Sequence, residues 1–488
     1  MLPLTELALI LGGELRNAKG SEVVSGVSYD SRKVKTGDVF IAISGHKDDG
    51  AKYVNDAIAR GAVAIVSEPN SPLHLSVPTM IVSNARAALA SVAWNLAVNP
   101  QKDLKLIGVT GTNGKTTVTA ALAQLLSMCG RPTGVCGTLG MFFENYKFDS
   151  DRTTAEAPEL AAAFGAMKSH GATHVALEAT SIGLVMHRLD ELKFDVGVFT
   201  NLSRDHLDFH GTWEEYRRAK MMLFESDRLT GTAVFNADDP ETVHFVRHTS
   251  RPSVTFSIDA PSDFQAARIE LRANGTEFQL LSSERCMHVH TPLIGRFNVH
   301  NTLAIIASAY ALGVPLEEIV YNLRQIKPVR GRAEVIASSA TFSVLVDYAH
   351  TPDALEKILT TVKDLAKGEL HCVIGAGGDR DRGKRPLMAQ AAERWSDRVY
   401  LTSDNPRSEE PEAILDEMRV GISDKTKLYM NPDRRHAIHD ALASAKDGDV
   451  VVVAGKGHET YQEINGVKHP FDDAEVVRDW LRSNGYLQ

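Results

Sequence analysis

Long hydrophobic runs are missing from this sequence. Nowhere in its 488 residues do about 18 apolar residues follow one another, so no membrane-spanning helix is predicted. The first residues, "MLPLTELALILGGELRNAKG", lack a basic n-region and a small-residue cleavage site. We therefore expect no secretory signal peptide.

An excess of basic residues is absent as well. Lysine and arginine number 53 against 62 aspartates and glutamates, which gives a formal net charge of -9. A protein that binds nucleic acid generally shows the opposite balance, because it must neutralise phosphates. The same balance disfavours attachment to anionic lipid. We therefore expect neither nucleic acid nor membrane among the partners.

Cysteine is scarce, and its spacing is uninformative. The four cysteines lie far apart and form no C-x-x-C pair. This pattern argues against a disulfide framework and against a zinc ribbon. We expect reduced core residues in a cytoplasmic protein at Cys129, Cys136, Cys286 and Cys372.

The length of the chain predicts several domains, because a single core rarely holds so many residues. Three sections differ in texture, and we place them at 1–98, 99–330 and 331–488. The first mixes short β-like runs with one helical stretch. In the second, apolar runs alternate with helical patterns, which predicts an α/β fold with a parallel, doubly wound sheet. Asn274-Gly275 in that section predicts a β-hairpin.

The third section repeats the alternation of strand and helix. Three polar loops directly follow apolar runs there: "GAGGDRDRGKRP", "SDNPR" and "AGKGHE". In open α/β sheets, ligands bind at the carboxyl ends of the strands. We therefore expect these three loops to face one ligand site.

The glycine-rich stretch "GVTGTNGKTT" nearly fits the Walker phosphate loop, but Val109 stands where the first glycine belongs. An apolar strand precedes it and an alanine-rich helix follows, so backbone N–H groups would point toward a phosphate. Gly111 and Gly114 allow a tight turn. Lys115 supplies a mobile cation and Thr116 a hydroxyl for Mg²⁺. The ordinary alternative is a turn glycine before a helix.

Three further side chains are candidates, and each has an ordinary alternative. Glu178 ends the apolar run "HVALE", where a carboxylate could hold Mg²⁺ or pair with a nearby cation. His206 lies in the polar stretch "NLSRDHLDFHG", and we favour it as a site residue. Lys220 falls in the helical pattern "WEEYRRAKMMLFE", where composition alone predicts an exposed lysine.

Seven motifs follow one another along the chain. They are "GVTGTNGKTT", "NLSRDHLDFHG", "FNVHN", "DYAHTPDAL", "GAGGDRDRGKRP", "SDNPR" and "AGKGHE". Together they resemble the Mur ligases, and most closely the UDP-N-acetylmuramoyl-tripeptide synthetase type. The resemblance spans all three sections. It implies a smaller N-terminal α/β domain for a UDP-sugar, a central P-loop ATPase domain, and a C-terminal Rossmann-like domain for an amino acid.

For ATP, the resemblance implies that G-x-x-G-K-T-T is the phosphate loop of this family. The implied ATP ligands there are Gly111, Thr112, Asn113, Gly114, Lys115, Thr116 and Thr117. Asn301 would face the adenine, while Asp347 and His350 would approach the nucleotide from the third section.

The resemblance also implies a magnesium site and a modified lysine. Reaction of Lys220 with CO₂ would turn its cation into a carboxylate that helps to hold Mg²⁺, which reverses the expectation from composition. The implied metal ligands are Thr116, Glu178, His206 and Lys220 as its carbamate. The implied catalytic residues are Lys115, Lys220, His206 and Glu178.

For the UDP-sugar, the implied ligands lie in two sections. They are Tyr29, Ser31, His46, Lys47 and Asp48 in the first, and Arg152, Thr153, Thr154, Thr180, Met186 and Arg188 in the second. This sequence departs from the family pattern at three positions. Ile182 replaces a histidine, Met186 a substrate-contacting glutamine, and Arg152 a common asparagine. Methionine cannot donate a hydrogen bond to a sugar or peptide oxygen.

For the incoming amino acid, "DNPR" implies meso-diaminopimelate. The implied ligands are Arg380, Asp404, Asn405, Pro406, Arg407, Gly455 and Glu459. Arg407 would clamp the distal carboxylate bidentately, with Arg380 nearby, while Glu459 and Asp404 would receive an ammonium. A lysine substrate would leave Arg407 as an unpaired buried charge. By composition alone, Arg380 fits a solvated charged loop.

The implied reaction is an ATP-dependent ligation in peptidoglycan precursor synthesis. The D-glutamate carboxylate of UDP-MurNAc-L-Ala-D-Glu attacks the γ-phosphate, and the diaminopimelate amine then displaces phosphate from the acyl phosphate. We expect a monomer that acts on small molecules. Two alternatives stay open: a folylpolyglutamate synthase, disfavoured by "DNPR", "GKGHE" and the N-terminal section, and a nucleotide-regulated binding protein that hydrolyses ATP without an acyl acceptor.

Overall fold

The computed structural model describes residues 1–487 apart from 46–48, 70–76, 149, 151, 273–274, 284, 337–338 and 364–365. Three large sheets lie in succession along the chain. Helices alternate with strands in each, which confirms the α/β class. Among the helices of the described part of the chain, none is both long and apolar enough to cross a membrane.

The N-terminal sheet has five strands, of which four are parallel. Across the sheet they are Glu14–Arg16, which is antiparallel, then Thr79–Ile81, Ala64–Ser67, Asp38–Ile41 and Gly26–Ser28. A short ribbon pairs Leu2–Pro3 with Val23–Val24. The helical elements are Leu4–Leu11, Ser31–Lys33, Gly50–Tyr53, Val54–Ala59 and Ala85–Leu96. The last begins at Asn84, whose side chain accepts hydrogen bonds from two free N–H groups of the first turn.

The central sheet has eleven strands, and its seven middle strands are parallel as predicted. In order these seven are Thr133–Gly137, His174–Glu178, Lys105–Thr110, Phe194–Phe199, Leu229–Asn236, Ser253–Ser257 and Phe264–Arg272. In the first five of these strands the apolar side chains are buried on both faces, whereas the last two strands also carry partly exposed apolar side chains. The helical elements are Pro100–Asp103, Lys115–Met128, Ala157–Ser169, Ser181–Val185, Leu207–His210, Trp213–Met221, Met222–Phe224, Thr242–His248, Arg296–Ala311 and Leu316–Leu323.

Antiparallel strands complete both edges of this sheet. One edge carries Gly140–Phe143 and Tyr146–Phe148, and the other carries Gly275–Ser282 and Cys286–Thr291. Gly275–Ser282 pairs antiparallel with the strand before it, which confirms the predicted hairpin, although Asn274 itself lies outside the described residues.

The C-terminal sheet has six strands, of which five are parallel. In order they are Glu334–Ile336, which is antiparallel, then Ser343–Asp347, Val450–Ala454, Leu370–Ile374, Arg398–Leu401 and Leu428–Met430. The three polar loops therefore leave from neighbouring strands at one edge. A ribbon pairs Tyr461–Ile464 with Val467–Pro470. The helical elements are Pro352–Lys363, Lys384–Trp395, Pro411–Arg419, Lys425–Lys427, Arg434–Ser444 and Asp473–Ser483.

The cysteines follow the expectation with one exception. All four are free thiols, and Cys129, Cys136 and Cys372 are buried. Cys286 is exposed, so its assignment to the core was wrong. It begins the edge strand of the central sheet, where one row of side chains faces solvent.

Candidate active site

The glycine loop turns between a buried strand and a long helix, as predicted. Gly111 has a φ of 145°, and a Cβ there would lie 2.0 Å from Thr200 Oγ1. Gly114 has a φ of 86°, and a Cβ there would lie 2.4 Å from Asn301 Oδ1. Both positions therefore need glycine, for backbone conformation and for space.

Two lysines converge on the carbonyl of Gly111. The Nζ of Lys115 donates to this oxygen at 2.9 Å and to the carbonyl of Thr112 at 2.7 Å. The Nζ of Lys220 donates to the same Gly111 oxygen at 2.8 Å. Burial lowers the pKa of both ammonium groups, and for Lys220 the neighbouring Lys115 lowers the pKa further.

Lys220 is one of the most buried polar side chains, with 1% of its surface exposed. The expectation of an exposed helical lysine, based on composition, was therefore wrong. The helix Trp213–Met221 buries Tyr216, Ala219 and Lys220 along one side. The ammonium lies 4.5 Å from the centroid of the Tyr216 ring, a cation–π contact.

The carboxylate of Glu178 ends its strand beside the loop and is almost completely buried. It accepts from the Thr116 hydroxyl at 3.0 Å and from the backbone N–H of Thr138 at 2.8 Å. The hydroxyl of Thr116 also accepts from Arg332 at 3.0 Å. A hydroxyl and a carboxylate oxygen side by side are donors that suit Mg²⁺. The donor set therefore fits this ion.

His206 lies at the open side of the site, with 46% of its side chain exposed. It adopts a φ of 52°, and its Nε2 lies 3.3 Å from Asp205 Oδ2. Burial lowers the pKa of His206, although Asp205 acts in the opposite direction, so a neutral nitrogen can serve as a ligand. Burial raises the pKa of Asp205, but the charges of Lys115 and of His206 and His350 in their protonated forms outweigh this, so that the pKa of Asp205 is lowered.

A cavity of about 280 Å³ opens beside the loop, between the central and C-terminal sheets. Six of the predicted ATP ligands line it, namely Asn113, Gly114, Thr117, Asn301, Asp347 and His350. The carboxylate of Asp347 accepts from the backbone N–H groups of Ala333 and Ala349, at 2.6 and 2.7 Å. Burial lowers the pKa of His350 to about 4, so its imidazole is neutral.

Two residues of the C-terminal section contact the phosphate loop directly. Asp353 accepts from the Asn113 side-chain amide at 2.8 Å and from the Ser203 hydroxyl at 3.0 Å. Arg332 reaches Thr116 and lies over the ring of Tyr348, 4.6 Å from its centroid. Asp353, Arg332 and Asp205 are not among the residues predicted from the sequence. The first lies in "DYAHTPDAL" and the last in "NLSRDHLDFHG", so the motifs carried a signal.

The three polar loops of the C-terminal sheet converge, as predicted. The Asn405 side chain donates to Glu459 at 2.8 Å, and Lys456 Nζ donates to both residues at 2.9 Å. The N–H of Gly378, from the remaining loop, donates to the carbonyl of Asn405 at 2.9 Å. A Cβ on Gly455 would lie 2.8 Å from Asp404 Oδ2.

Arg407 is neither fully buried nor unpaired. Its side chain is 22% exposed, and its Nε lies 3.4 Å from Glu463 Oε2. It also donates to the carbonyl of Gly378 at 2.6 Å. The prediction that a lysine substrate would leave Arg407 without an anion was therefore wrong, because Glu463 already supplies one. Arg380 is exposed.

The expected UDP-sugar residues of the central section cluster beyond Glu178. The Thr154 and Thr180 hydroxyls lie 2.8 Å apart, and Arg188 donates to the carbonyl of Thr154 at 3.0 Å. Arg188 and Arg152 both donate to Glu156. Thr153 lies 3.2 Å from the Thr138 hydroxyl, and Met186 follows the helix Ser181–Val185.

Of the UDP-sugar ligands expected in the N-terminal section, the structure describes Tyr29 and Ser31. Tyr29 donates to Glu159 of the central section at 2.9 Å. Ser31 begins a short 3-10 helix and is buried. His46, Lys47 and Asp48 lie outside the described residues.

Each of the three sections of the chain matches a profile of known proteins. Profiles described as Mur ligase family catalytic domain, Mur ligase middle domain, and Mur ligase glutamate ligase domain match residues 23–98, 109–309 and 331–457. The UDP-N-acetylmuramoyl-L-alanyl-D-glutamate--2,6-diaminopimelate ligase of Halalkalibacterium halodurans is 43% identical over 485 residues, 99% of each chain. The chain belongs to the Mur ligase family.

Two other Mur ligases extend the likeness. The protein of the same name from Geobacillus kaustophilus is 42% identical over 489 residues, again 99% of each chain. A solved structure bearing that ligase name is 37% identical, with a TM-score of 0.70 over 98% of this chain and 99% of that one. The similarity includes the N-terminal section. This section is one of the sequence features that disfavour a folylpolyglutamate synthase.

The geometry of the phosphate loop of this Mur ligase generates a first prediction. Gly111→Ala should weaken equilibrium binding of ATP at least tenfold, because the new methyl group would meet Thr200 in a backbone conformation that alanine avoids. Gly165→Ala is the matched control, since it lies in a helix with nothing within 4 Å of a new Cβ. It should bind ATP normally and be more stable by about 0.5–1 kcal/mol. Normal ATP binding by Gly111→Ala would contradict the assignment.

Proposed function

We propose that this Mur ligase uses ATP to join meso-diaminopimelate to the D-glutamate of UDP-MurNAc-L-Ala-D-Glu, a step of peptidoglycan precursor synthesis. The observation that carries the proposal is the likeness to ligases of that name over 99% of the chain, at 42 and 43% identity. The geometry supports it, because the phosphate loop contacts the buried carboxylate of Glu178 and two residues of the C-terminal section, Asp353 and Arg332. The proposed site residues are those that the resemblance implies.

The first step is a phosphoryl transfer. A D-glutamate carboxylate oxygen attacks the γ-phosphorus of ATP, and the bond to the β-phosphate oxygen breaks, giving an acyl phosphate and ADP. Lys115, released from its two loop carbonyls, would neutralise charge on the transferring oxygens. Thr116, Glu178 and His206 would hold Mg²⁺, which would supply further positive charge.

The second step forms the amide bond. The free amine of diaminopimelate attacks the acyl carbon, loses a proton, and phosphate leaves. The acyl phosphate is open to hydrolysis, so exclusion of water matters. The contact of Asp353 with Asn113, together with that of Arg332 with Thr116, holds the C-terminal section against the loop and supports this role.

Carbamylation of Lys220 fits its surroundings. The neutral amine attacks the carbon of CO₂, a nitrogen–carbon bond forms, and a proton is released. Such a reaction needs an unprotonated amine, and burial together with Lys115 lowers the pKa of Lys220. The product places a negative charge next to the Lys115 ammonium, which attracts it, and adds oxygen donors for Mg²⁺.

The amino-acid site is proposed at the converging C-terminal loops. The carboxylate of Glu459, which accepts from the Asn405 amide, offers an acceptor for an ammonium, and Arg380 is an exposed cation at the same edge. Arg407 would bind the distal carboxylate by exchanging its partner Glu463 for the substrate. Asp404, Pro406 and Gly455 would complete this site.

The UDP-sugar site is proposed at the junction of the first two sections. Its expected ligands are Tyr29, Ser31, His46, Lys47, Asp48, Arg152, Thr153, Thr154, Thr180, Met186 and Arg188. We further propose that the protein is a monomer and that it acts on small molecules in the cytoplasm.

The substrate assignment predicts a strict dependence of phosphate release. With ATP and UDP-MurNAc-L-Ala-D-Glu, meso-diaminopimelate should support turnover at least tenfold better than L-lysine, measured as inorganic phosphate. Lysine lacks the distal carboxylate that Arg407 would bind. Equal or faster turnover with lysine would overturn the assignment. Phosphate release without the UDP-sugar would instead favour a nucleotide-regulated binding protein.

The carbamate predicts a mass change and a loss of activity. Intact mass under native, CO₂-rich conditions should show the addition of one CO₂ to the wild type and none to Lys220→Ala. Turnover by Lys220→Ala should fall by at least about 100-fold, because a metal-site carboxylate is lost. Arg218→Ala, on an exposed part of the same helix, is the matched control and should retain wild-type turnover. Wild-type activity in Lys220→Ala would rule out the carbamate.

A further inference from the structure

The nucleotide cavity carries a polar pair that the proposed mechanism does not use. His300, on the helix Arg296–Ala311, and Asp238, just after the strand Leu229–Asn236, both line the cavity. The imidazole Nε2 lies 2.8 Å from Asp238 Oδ2. His300 directly precedes Asn301, the residue expected to face the adenine.

Asp238 is a fixed and ionised acceptor. Its carboxylate receives the backbone N–H groups of Ile258 at 2.6 Å, Asp259 at 3.1 Å and Ala260 at 2.7 Å, in addition to the imidazole. Burial acts to raise the pKa of Asp238, but the bonds from Ile258, Ala260 and His300 outweigh it and lower the pKa. An ionised carboxylate can only accept hydrogen bonds.

The charge of Asp238 fixes the tautomer of His300. The nitrogen that faces the carboxylate, Nε2, must carry the proton. Burial lowers the pKa of His300, although Asp238 acts in the opposite direction, so the ring is neutral and Nδ1 keeps its lone pair. Among the residues that the structure describes, none donates a hydrogen bond to Nδ1. The pair therefore brings one oriented acceptor to the wall of the cavity.

The surroundings of the pair suit a flat aromatic base. Phe297 also lines the cavity and lies three residues before His300, on the same side of the helix. Pro240 lies two residues after Asp238, and Phe256 two residues before its partner Ile258. The polar end of the cavity is formed instead by the phosphate loop. The base of a nucleotide therefore belongs at the end of the cavity where His300 lies.

We propose that His300, held by Asp238, selects the base: its Nδ1 accepts a hydrogen bond from the exocyclic amine of adenine. Guanine and hypoxanthine carry a carbonyl oxygen at that ring position, which would set two lone pairs against each other. The inference rests on the proposed use of ATP. It adds a physical reason for which the protein would prefer adenine to other bases.

The test is equilibrium binding, with Mg²⁺, of ATP, inosine triphosphate and purine riboside triphosphate, which carries only hydrogen at position 6. The wild type should bind ATP about 3- to 10-fold more tightly than the purine nucleotide, the worth of one hydrogen bond, and more tightly still than the inosine nucleotide. His300→Phe keeps a ring without nitrogen and should bind ATP and the purine nucleotide equally. His300→Gln can donate to Asp238 and accept from the amine, so it should restore the preference.

Asp238→Asn is the second variant, in case His300→Phe unfolds. The amide of this variant no longer fixes the tautomer of His300. The ratio of the binding affinities for ATP and for the purine nucleotide should therefore fall toward one, although His300 is intact. A wild-type ratio in either His300→Phe or Asp238→Asn would overturn the inference, as would equal binding of all three nucleotides to the wild type. Failure of the wild type to bind any of them would contradict the proposed function instead.

Discussion

The carbonyl oxygen of Gly111 accepts hydrogen bonds from two lysines, the buried Lys220 and the half-buried Lys115, and the rest of the site depends on this contact. The oxygen can occupy its position only because the loop turns through a conformation that excludes a side chain at Gly111. Two ammonium groups so close together repel each other, and burial adds to the cost of their charge. The loop is therefore poised to exchange these contacts for the oxygens of a polyphosphate.

Residues next to the loop offset the positive charge of Lys115 and Lys220. The carboxylate of Glu178 contacts Thr116, the residue after Lys115. Conversion of Lys220 to a carbamate would add a second negative charge to the site. Asp353, on the helix Pro352–Lys363 of the C-terminal section, contacts the loop through Asn113. A carboxylate of the third section therefore lies beside the loop where we propose that phosphate is transferred.

Much of the fold could be predicted because it depends on local pattern: apolar runs became parallel strands, and polar loops met at their carboxyl ends. The misses are long-range. Lys220 belongs to a polar helix, and its burial comes from a loop 109 residues away. Arg407 is paired by Glu463 of a separate ribbon. Arg332 contacts Thr116 across 216 residues, and such contacts leave no periodic signal in the sequence.

The proposed mechanism requires that the loop around Lys115 delivers the γ-phosphoryl group to a carboxylate and not to water. Labelling the D-glutamate carboxylate of UDP-MurNAc-L-Ala-D-Glu with oxygen-18 tests this directly. We expect one labelled oxygen in each inorganic phosphate released, because the carboxylate oxygen that attacks phosphorus leaves with it when the amine forms the amide. Unlabelled phosphate, with a solvent oxygen instead, would rule out this mechanism.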